Sequence, residues 1–540
     1  MRSYKQISIP VLITLVKNIP VRKGRFLTVF CVFHVCALLL LTSPAMTQTG
    51  TKGNVWLTDP GQSIFFERQT APLVFKIDKP GKGDKADGEG KPVAGRTLFG
   101  KRTRAVPASG MDTGTIVIRV DAHIRAQTID GFGFALTGGS AMNLMKMSAG
   151  ARAGLLRDLF ATNGDHIGAS YLRVSIGASD LNDHVFSYDD LPVGQTDTVL
   201  SKFDMGPDRT DVIPVLKEIL AIDPSIRILG SPWSPPAWMK TNRDTRGGSL
   251  LSQYYGVYAR YFVKYIRAMK QEGIRVDAIT VQNEPLHPGN NPSLLMPAAE
   301  QEAFIKNYLG PVFQQEGIDT KIIIYDHNAD KPEYPISILK DPDAAKYIDG
   351  SAFHLYGGTI DALSKVHEAF PDKNLYFTEQ WVGAPGDFKK DIADHIEKLI
   401  IGATRNWSRN VIEWNLASDP QYRPHTDRGG CDRCLGAVTI DGDKWTRNPA
   451  YYIIAHAAKF VRPGSVRIAS GVGGAVLSGV SAVSSYGLPV LPNTAFMTPS
   501  GQTVLIVLNN TGSAKKIRID DRKGHAETRL NAGAVATYVW

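Results

Sequence analysis

Residues 278–285 read Ala-Ile-Thr-Val-Gln-Asn-Glu-Pro, a short β-branched run that ends in an amide, a carboxylate and a proline. An amphipathic stretch with helical spacing, Tyr254–Glu272, precedes it, and another, Pro297–Glu316, follows. Working outward, the same alternation of strand and helix fills residues 126 to 460. Its strands are Ile129–Leu136, Tyr171–Ile176, Ile226–Leu229, Ala278–Gln282, Lys321–Tyr325, Gly350–Leu355, Asn374–Thr378 and Asn410–Trp414. Strands that alternate with helices form a parallel sheet, and eight such units with both faces covered close into a (β/α)8 barrel. A doubly wound open sheet is the competing α/β architecture, but it carries a glycine-rich phosphate turn after its first strand. Gly131-Phe132-Gly133-Phe134 lacks that spacing.

On either side of the barrel the pattern is β-like. Apolar runs at 63–66 and Leu73–Ile77 come before a segment at 78–113, rich in Gly, Lys, Asp and Pro, that reads as a linker. Thr115–Val120 reads as a further strand. Beyond Pro463, Thr503–Asn509, Lys515–Ile519 and Ala534–Trp540 are strands separated by Gly, Asn and Ser turns. So few strands make a poor sandwich alone, and the C-terminal part is expected to recruit the N-terminal strands. The expected organisation is an export signal at 1–45, N-terminal strands and linker at 46–125, the barrel at 126–462 and a β-sandwich side domain at 463–540.

Arg22, Lys23 and Arg25 precede the apolar run Phe26–Leu41, and Ser43-Pro44-Ala45 offers a small-x-small cleavage site. The run is shorter than the roughly twenty residues that cross a bilayer. Cleavage after Ala45, a secreted or periplasmic location and no stable membrane insertion are therefore expected. That segment holds six cationic side chains and no acid, so its removal takes the formal charge from +9 to +3. Nothing then calls for a nucleic-acid partner. Cys31 and Cys36 leave with it, and Cys431 and Cys434 remain in a glycine-flanked loop. No further ligand stands at zinc-like spacing, and an exported chain favours a local disulfide there.

In such a barrel the functional side chains emerge where strands end. Asn283-Glu284 ends the fourth strand and Thr378-Glu379 the seventh, on opposite sides of the barrel mouth. Cleavage of a glycosidic bond with retention needs two carboxyl groups about 5–5.5 Å apart. The Asn283 amide suits a sugar 2-hydroxyl, which favours Glu284 as acid/base. Glu379 is then the ionised nucleophile, its charge keeping the acid's pKa raised. His354 and Tyr356, ending the sixth strand, are candidate partners. Trp233 and Trp414 are candidate sugar platforms, and Trp238 reads as core. His287, Asp326 and His327 fit no metal-ligand spacing and read as polar rim.

Asp130-Gly131-Phe132-Gly133, Leu172-Arg173-Val174, Ser231-Pro232-Trp233, Lys240-Thr241-Asn242, Asn283-Glu284-Pro285, Thr378-Glu379, Trp414-Asn415 and Thr537-Tyr538-Val539-Trp540 together resemble glycoside hydrolase family 30. That family includes glucosylceramidases and β-1,6-glucanases. The resemblance implies a TIM barrel with a β-sandwich side domain, retention of configuration, no metal and no cofactor. It places the acid/base on Glu284, the nucleophile on Glu379 and sugar contacts on Trp233, Asn283, His354, Tyr356 and Trp414. An arginine near the nucleophile falls on Arg173. One departure stands out: the glucosylceramidase pattern has Thr-Asp where this chain has Thr137-Gly138. Loss of that carboxylate is expected to weaken the grip on a terminal glucose, which favours a β-glucan, such as a β-1,6-glucan, over ceramide-linked glucose. The rival readings are a glucosylceramidase-like hydrolase, a hydrolase of another β-glycoside such as xylan, and a catalytically silent polysaccharide-binding barrel. The presence of both glutamates argues against the last. An oligo- or polysaccharide substrate and a monomeric chain are expected.

Overall fold

The computed structural model of the chain describes residues 51–77, 114–473 and 490–540. The expected export signal at 1–45 and linker at 78–113 lie outside the described residues. The eight expected barrel strands are all present: β1 (Gly131–Leu136), β2 (Tyr171–Ser175), β3 (Arg227–Ser231), β4 (Ala278–Thr280), β5 (Lys321–Ala329), β6 (Ile348–Gly358), β7 (Asn374–Glu379) and β8 (Ser408–Glu413). They pair in parallel in this order, and β8 pairs with β1, so the barrel is closed. Among the described residues no helix is long and apolar enough to cross a membrane.

Strand pleating sends every second residue into the lumen. Tyr171, Leu229, Ala278, Ile323, Ala352, Tyr376 and Ile412 form one buried apolar layer there. Two residues further along the same chain segments stand Arg173, Ser231, Thr280, His354, Thr378 and Trp414, all buried. The next layer up is thus polar. On β1 the lumen position is Gly133, where a Cβ would lie 1.8 Å from the Tyr171 carbonyl oxygen, so glycine is what lets β1 approach β2.

β5 breaks the alternation. Parity would send Tyr325 inward after Ile323. Instead Tyr325 and Asp326 both adopt left-handed backbone (φ 73° and 60°), and the pairing with β6 shifts between Tyr325 and His327. The Tyr325 amide donates to Gln301 Oε1 at 3.0 Å. This bulge turns Tyr325 outward against Tyr334 and Phe353 and swings Asp326 into the polar layer.

The remaining strands form one eleven-stranded sheet folded around its own core. N-terminal strands Lys52–Asp59 and Ile64–Arg68 extend it beyond C-terminal Val535–Val539, as expected for a shared sandwich. Thr115–Thr128 is one long strand that pairs with Val466–Val472 and Lys515–Asp520. It runs past the expected barrel start at 126. Sequence reading did not find the small sheet of Ala417–Ser418, Val438–Asp441 and Lys444–Arg447, nor the pairing of Val382–Gly383 with Cys434–Leu435.

His456, on helix Pro449–Ala458, joins barrel to sandwich. Its Nδ1 lies 2.9 Å from Thr537 Oγ1 and its Nε2 2.8 Å from Thr58 Oγ1. Thr537 already donates to the His456 carbonyl, so Nδ1 carries the proton and donates. Burial holds the imidazole neutral, with its pKa lowered to about 3. The unfolded chain takes up this proton near pH 6.5 and the folded chain refuses it down to about 3, so folding stability falls as pH drops through that window. His456→Leu should cost about 1–3 kcal/mol at neutral pH by leaving the buried Thr58 hydroxyl proton without its acceptor and Thr537 Oγ1 without the imidazole donor. Denaturant melts across the acid range should also show a shallower loss of stability than in the parent.

Candidate active site

The polar layer is organised around one buried carboxylate. Asp326 Oδ2 accepts from Arg173 Nη2 (2.8 Å), Ser231 Oγ (2.8 Å) and Thr280 Oγ1 (2.7 Å). Its Oδ1 accepts from His354 Nε2 (3.1 Å) and Thr378 Oγ1 (2.6 Å). Burial pushes this carboxyl up, but the Arg173 charge, His354 and Thr378 hold it far below the usual carboxylate range. The expectation that Asp326 and His327 form a polar rim is therefore corrected. Asp326 has no exposed surface and His327 is buried, with its Nδ1 3.9 Å from Glu284; His287 alone of the three is exposed.

From Asp326 the network reaches both glutamates. Arg173 Nη1 donates to Glu379 Oε2 at 2.6 Å, and Nη2 also donates to Asn283 Oδ1 at 2.7 Å. With Oδ1 taken, Asn283 offers its two Nδ2 protons to a ligand. Tyr356 Oη donates to Glu379 Oε1 at 3.0 Å, so both oxygens of Glu379 accept. His354 Nδ1 lies 3.1 Å from Glu284 Oε1. Both ring nitrogens of His354 thus face carboxylates, the arrangement of an imidazolium. Burial pulls its pKa down, but the Glu379 charge and the hydrogen bonds to Asp326 and Glu284 raise it to about 9.

Single ligand atoms of Glu284, His354 and Glu379 all lie within 4.8 Å of one another. The spacing would suit a metal ion, but the Arg173 guanidinium already supplies a cation against Glu379. Burial pushes Glu284 up, yet the hydrogen bond and charge of His354, with His327 and His287 beyond, bring it net below its ordinary value. Burial also lifts Glu379, and His354 and Arg173 do not fully offset this against Glu284 and Asp326. Two carboxyls this close titrate as one pair. Glu284 sits in left-handed backbone (φ 43°), strain of the kind that accumulates where a site over-determines the chain.

The tryptophans are not open platforms. Trp233 and Trp414 are 2% and 4% exposed and stack on each other at 5.3 Å, and the Arg173 guanidinium lies 4.8 Å from the Trp233 ring. One face of each ring is taken by the other, and little of either surface is exposed, so neither is the open platform the sequence suggested. Trp238 is core, its Nε1 donating to the Asp189 carbonyl at 2.9 Å.

A fourth carboxyl escaped sequence reading. Asp180, on the loop after β2, is buried, and burial with the charges of Glu379 and Glu284 raises its pKa to about 7. Its loop presses on Thr137-Gly138-Gly139: the Gly139 amide donates to the Leu181 carbonyl at 2.7 Å, and a Cβ on Gly138 would lie 1.9 Å from Asn182 Nδ2. Glycine at 138 is thus what leaves room for the Asn182 side chain. Asn182 fills the space, and Asp180 supplies a carboxyl within the field of both glutamates.

The "Glycosyl hydrolase family 30 TIM-barrel domain" model matches residues 129–461, and the "Glycosyl hydrolase family 30 beta sandwich domain" model matches 464–538. Endo-1,6-beta-D-glucanase neg1 of Aspergillus fumigatus is 35% identical over 417 residues, 74% of this chain and 82% of that one. Lysosomal acid glucosylceramidase of Mus musculus is 30% identical over 464 residues, 81% and 85% of the two chains. Among solved structures, the endo-beta1,6-glucanase BT3312 superposes with a TM-score of 0.75 at 32% identity, over 91% of this chain and 99% of that one.

Asp326→Asn keeps the shape but leaves Arg173 and His354 facing a neutral group. Breaking a buried pair in this way should cost about 3–5 kcal/mol of stability. Activity should fall about a hundredfold or more as Glu379 loses its fixed donors. Thermal melts and steady-state kinetics on one preparation check both.

Proposed function

The chain belongs to glycosyl hydrolase family 30 and is a glycoside hydrolase, and from that premise we propose that it cleaves β-1,6-linked glucan by double displacement, with Glu379 as nucleophile and Glu284 as acid/base. The separation of the two carboxyls carries the reading: oxygens within 4.8 Å match the roughly 5–5.5 Å of retaining enzymes. Inverting enzymes need about 6.5–9.5 Å to admit a water.

Contact donors distinguish the roles. Both oxygens of Glu379 accept from Arg173 and Tyr356, which favours its anion as the attacking group. Glu284 Oε2 has no hydrogen bond among the described residues and is free to carry the pair's proton to the leaving oxygen. The hydrogen bond and charge of His354 act the other way and lower Glu284. A glycosidic oxygen entering beside Oε2 adds an acceptor for that proton and so favours the protonated form of Glu284. After the glycosyl–enzyme ester forms, Glu284 is ionised and takes a proton from the incoming water. Asn283 Nδ2 and the Asp180 carboxyl hold sugar hydroxyls, and Trp233 and Trp414 wall the cleft.

The β-1,6 linkage is supported by the higher identity to the Aspergillus glucanase than to the mouse glucosylceramidase, and by the glucanase structure that matches 91% of the chain. The leader-like residues 22–45 support action outside the cytoplasm. Products from a β-1,6-glucan, followed by NMR, should appear first as the β-anomer. Release of glucose from glucosylceramide alone would overturn the substrate assignment.

Glu284→Ala and Glu379→Ala should each lower turnover by roughly 10³-fold or more with the fold intact. Azide separates the roles. It should attack from the face vacated in Glu379→Ala and give the α-glycosyl azide, whereas Glu284→Ala should give the β-azide. The reverse pattern would exchange the two assignments.

A further inference from the structure

We propose that the Cys431–Cys434 disulfide is a positioning element of the sugar-binding cleft, holding the strap at 419–436 so that Cys431 stays beside the Asp180 carboxyl and Cys434 against Trp233 and Trp414. The inference rests on the reading of Asp180 as a sugar-binding group.

The strap follows β8 and reaches four other barrel loops. The Thr426 amide donates to the Asp180 carbonyl at 2.9 Å. Arg428 Nη2 donates to Asp244 Oδ1 and to Thr245 Oγ1, each at 3.0 Å, and Asn291 Nδ2 donates to Asp427 Oδ1 at 2.8 Å. At its far end Cys434 and Leu435 pair with Gly383 and Val382, just past Glu379, and the Ala384 amide donates to the Arg433 carbonyl at 2.8 Å. The strap therefore links the loop that carries Asp180 to the strand end that carries Glu379.

The turn at 431–434 is less restrained than the strap on either side of it. Asp432 and Arg433 are exposed, and the ion pair of Arg428 with Asp244 is solvent-facing and worth little. Gly429 takes φ +129°, where a Cβ would lie 2.6 Å from the Gly289 carbonyl oxygen. The disulfide closes the turn Cys431-Asp432-Arg433-Cys434 between these supports. Cys434 is buried in a cluster with Ala135, Leu181, Trp233 and Trp414, and Cys431 packs on the same cluster. The Cys431 amide also favours the ionised form of Asp180. A loop this short restrains the unfolded chain little, so the bond's effect is local geometry more than global stability.

The test uses the full chain, a soluble β-1,6-linked gluco-oligosaccharide, and the variants C431S/C434S, Asp180→Asn and their combination. The disulfide variant should raise KM about tenfold with kcat within about threefold. Asp180→Asn should raise KM by itself, and the combination should add little more, because both changes act on one contact. Dithiothreitol, which reduces the bond to two thiols as it closes to its own cyclic disulfide, should reproduce the KM rise in the parent and not in the serine variant. Reoxidation should reverse it. This arm serves if the serine variant fails to fold; where it folds, its indifference to dithiothreitol shows that Cys31 and Cys36 are not responsible. A lower melting temperature with unchanged KM, or fully additive effects, overturns the positioning role. An Asp180→Asn enzyme with unchanged KM overturns the reading of Asp180 and the inference with it.

Discussion

Arg173 and Asp326, 2.8 Å apart and sealed from solvent, are the constraint on which the rest of the cleft depends. Withdrawing two such charges from water costs several kcal/mol each, and their attraction offsets this only when the remaining lone pairs and N–H groups find partners. Asp326 finds them on β2, β3, β4, β6 and β7, through Arg173, Ser231, Thr280, His354 and Thr378. Satisfying one carboxylate therefore registers most of the barrel's strand ends to one another. Arg173 then projects its second Nη onto Glu379, and His354 its second nitrogen onto Glu284. The two glutamates occupy their places because the pair beneath them does.

That arrangement is bought with backbone strain. Asp326 enters the lumen only through the bulge at Tyr325 and Asp326, two consecutive non-glycine residues at positive φ. Such conformations cost of order 1–3 kcal/mol each and persist where packing over-determines them. Here the outward ring of Tyr325 packs on Tyr334 and Phe353 and its hydroxyl donates to the Asn328 carbonyl at 2.5 Å. Apolar contact on the outside of the barrel thus offsets the distortion that delivers a charge to the inside.

The same bulge explains where sequence reading succeeded and failed. Short apolar runs alternating with amphipathic helices made all eight strands legible, and with them Glu284, Glu379, His354 and Tyr356 at strand ends. Arg173 came only from the family resemblance, and the structure gathers all five at one mouth. Asp326 was lost because parity from Ile323 points it outward, and no residue in 321–329 announces a bulge. The burial of Trp233 and Trp414 was not legible because their stacking joins the ends of β3 and β8, a pairing of residues far apart in the chain. Asp180 lies in a loop without periodicity, and its proximity to the glutamates exists only after the barrel closes. The glycine at 138 was visible, but its cause was not: Asn182 and Leu181 occupy the space a side chain would need.

Charge balance then bears on how the cluster works. The buried groups include two cations, Arg173 and His354, and three acids, Asp326, Glu284 and Glu379. With Asp326 ionised, one proton on the glutamate pair makes the set neutral, the state a water-poor cavity favours. In the proposed double displacement Glu379 begins as the anion and ends as an ester, while Glu284 begins with the proton and ends as the anion. The net charge of the cluster is the same before and after. One negative charge simply moves from the carboxylate held by Arg173 to the one held by His354. A cavity whose two cations sit one against each glutamate is therefore already arranged for both halves of the reaction, with no ion required to enter or leave.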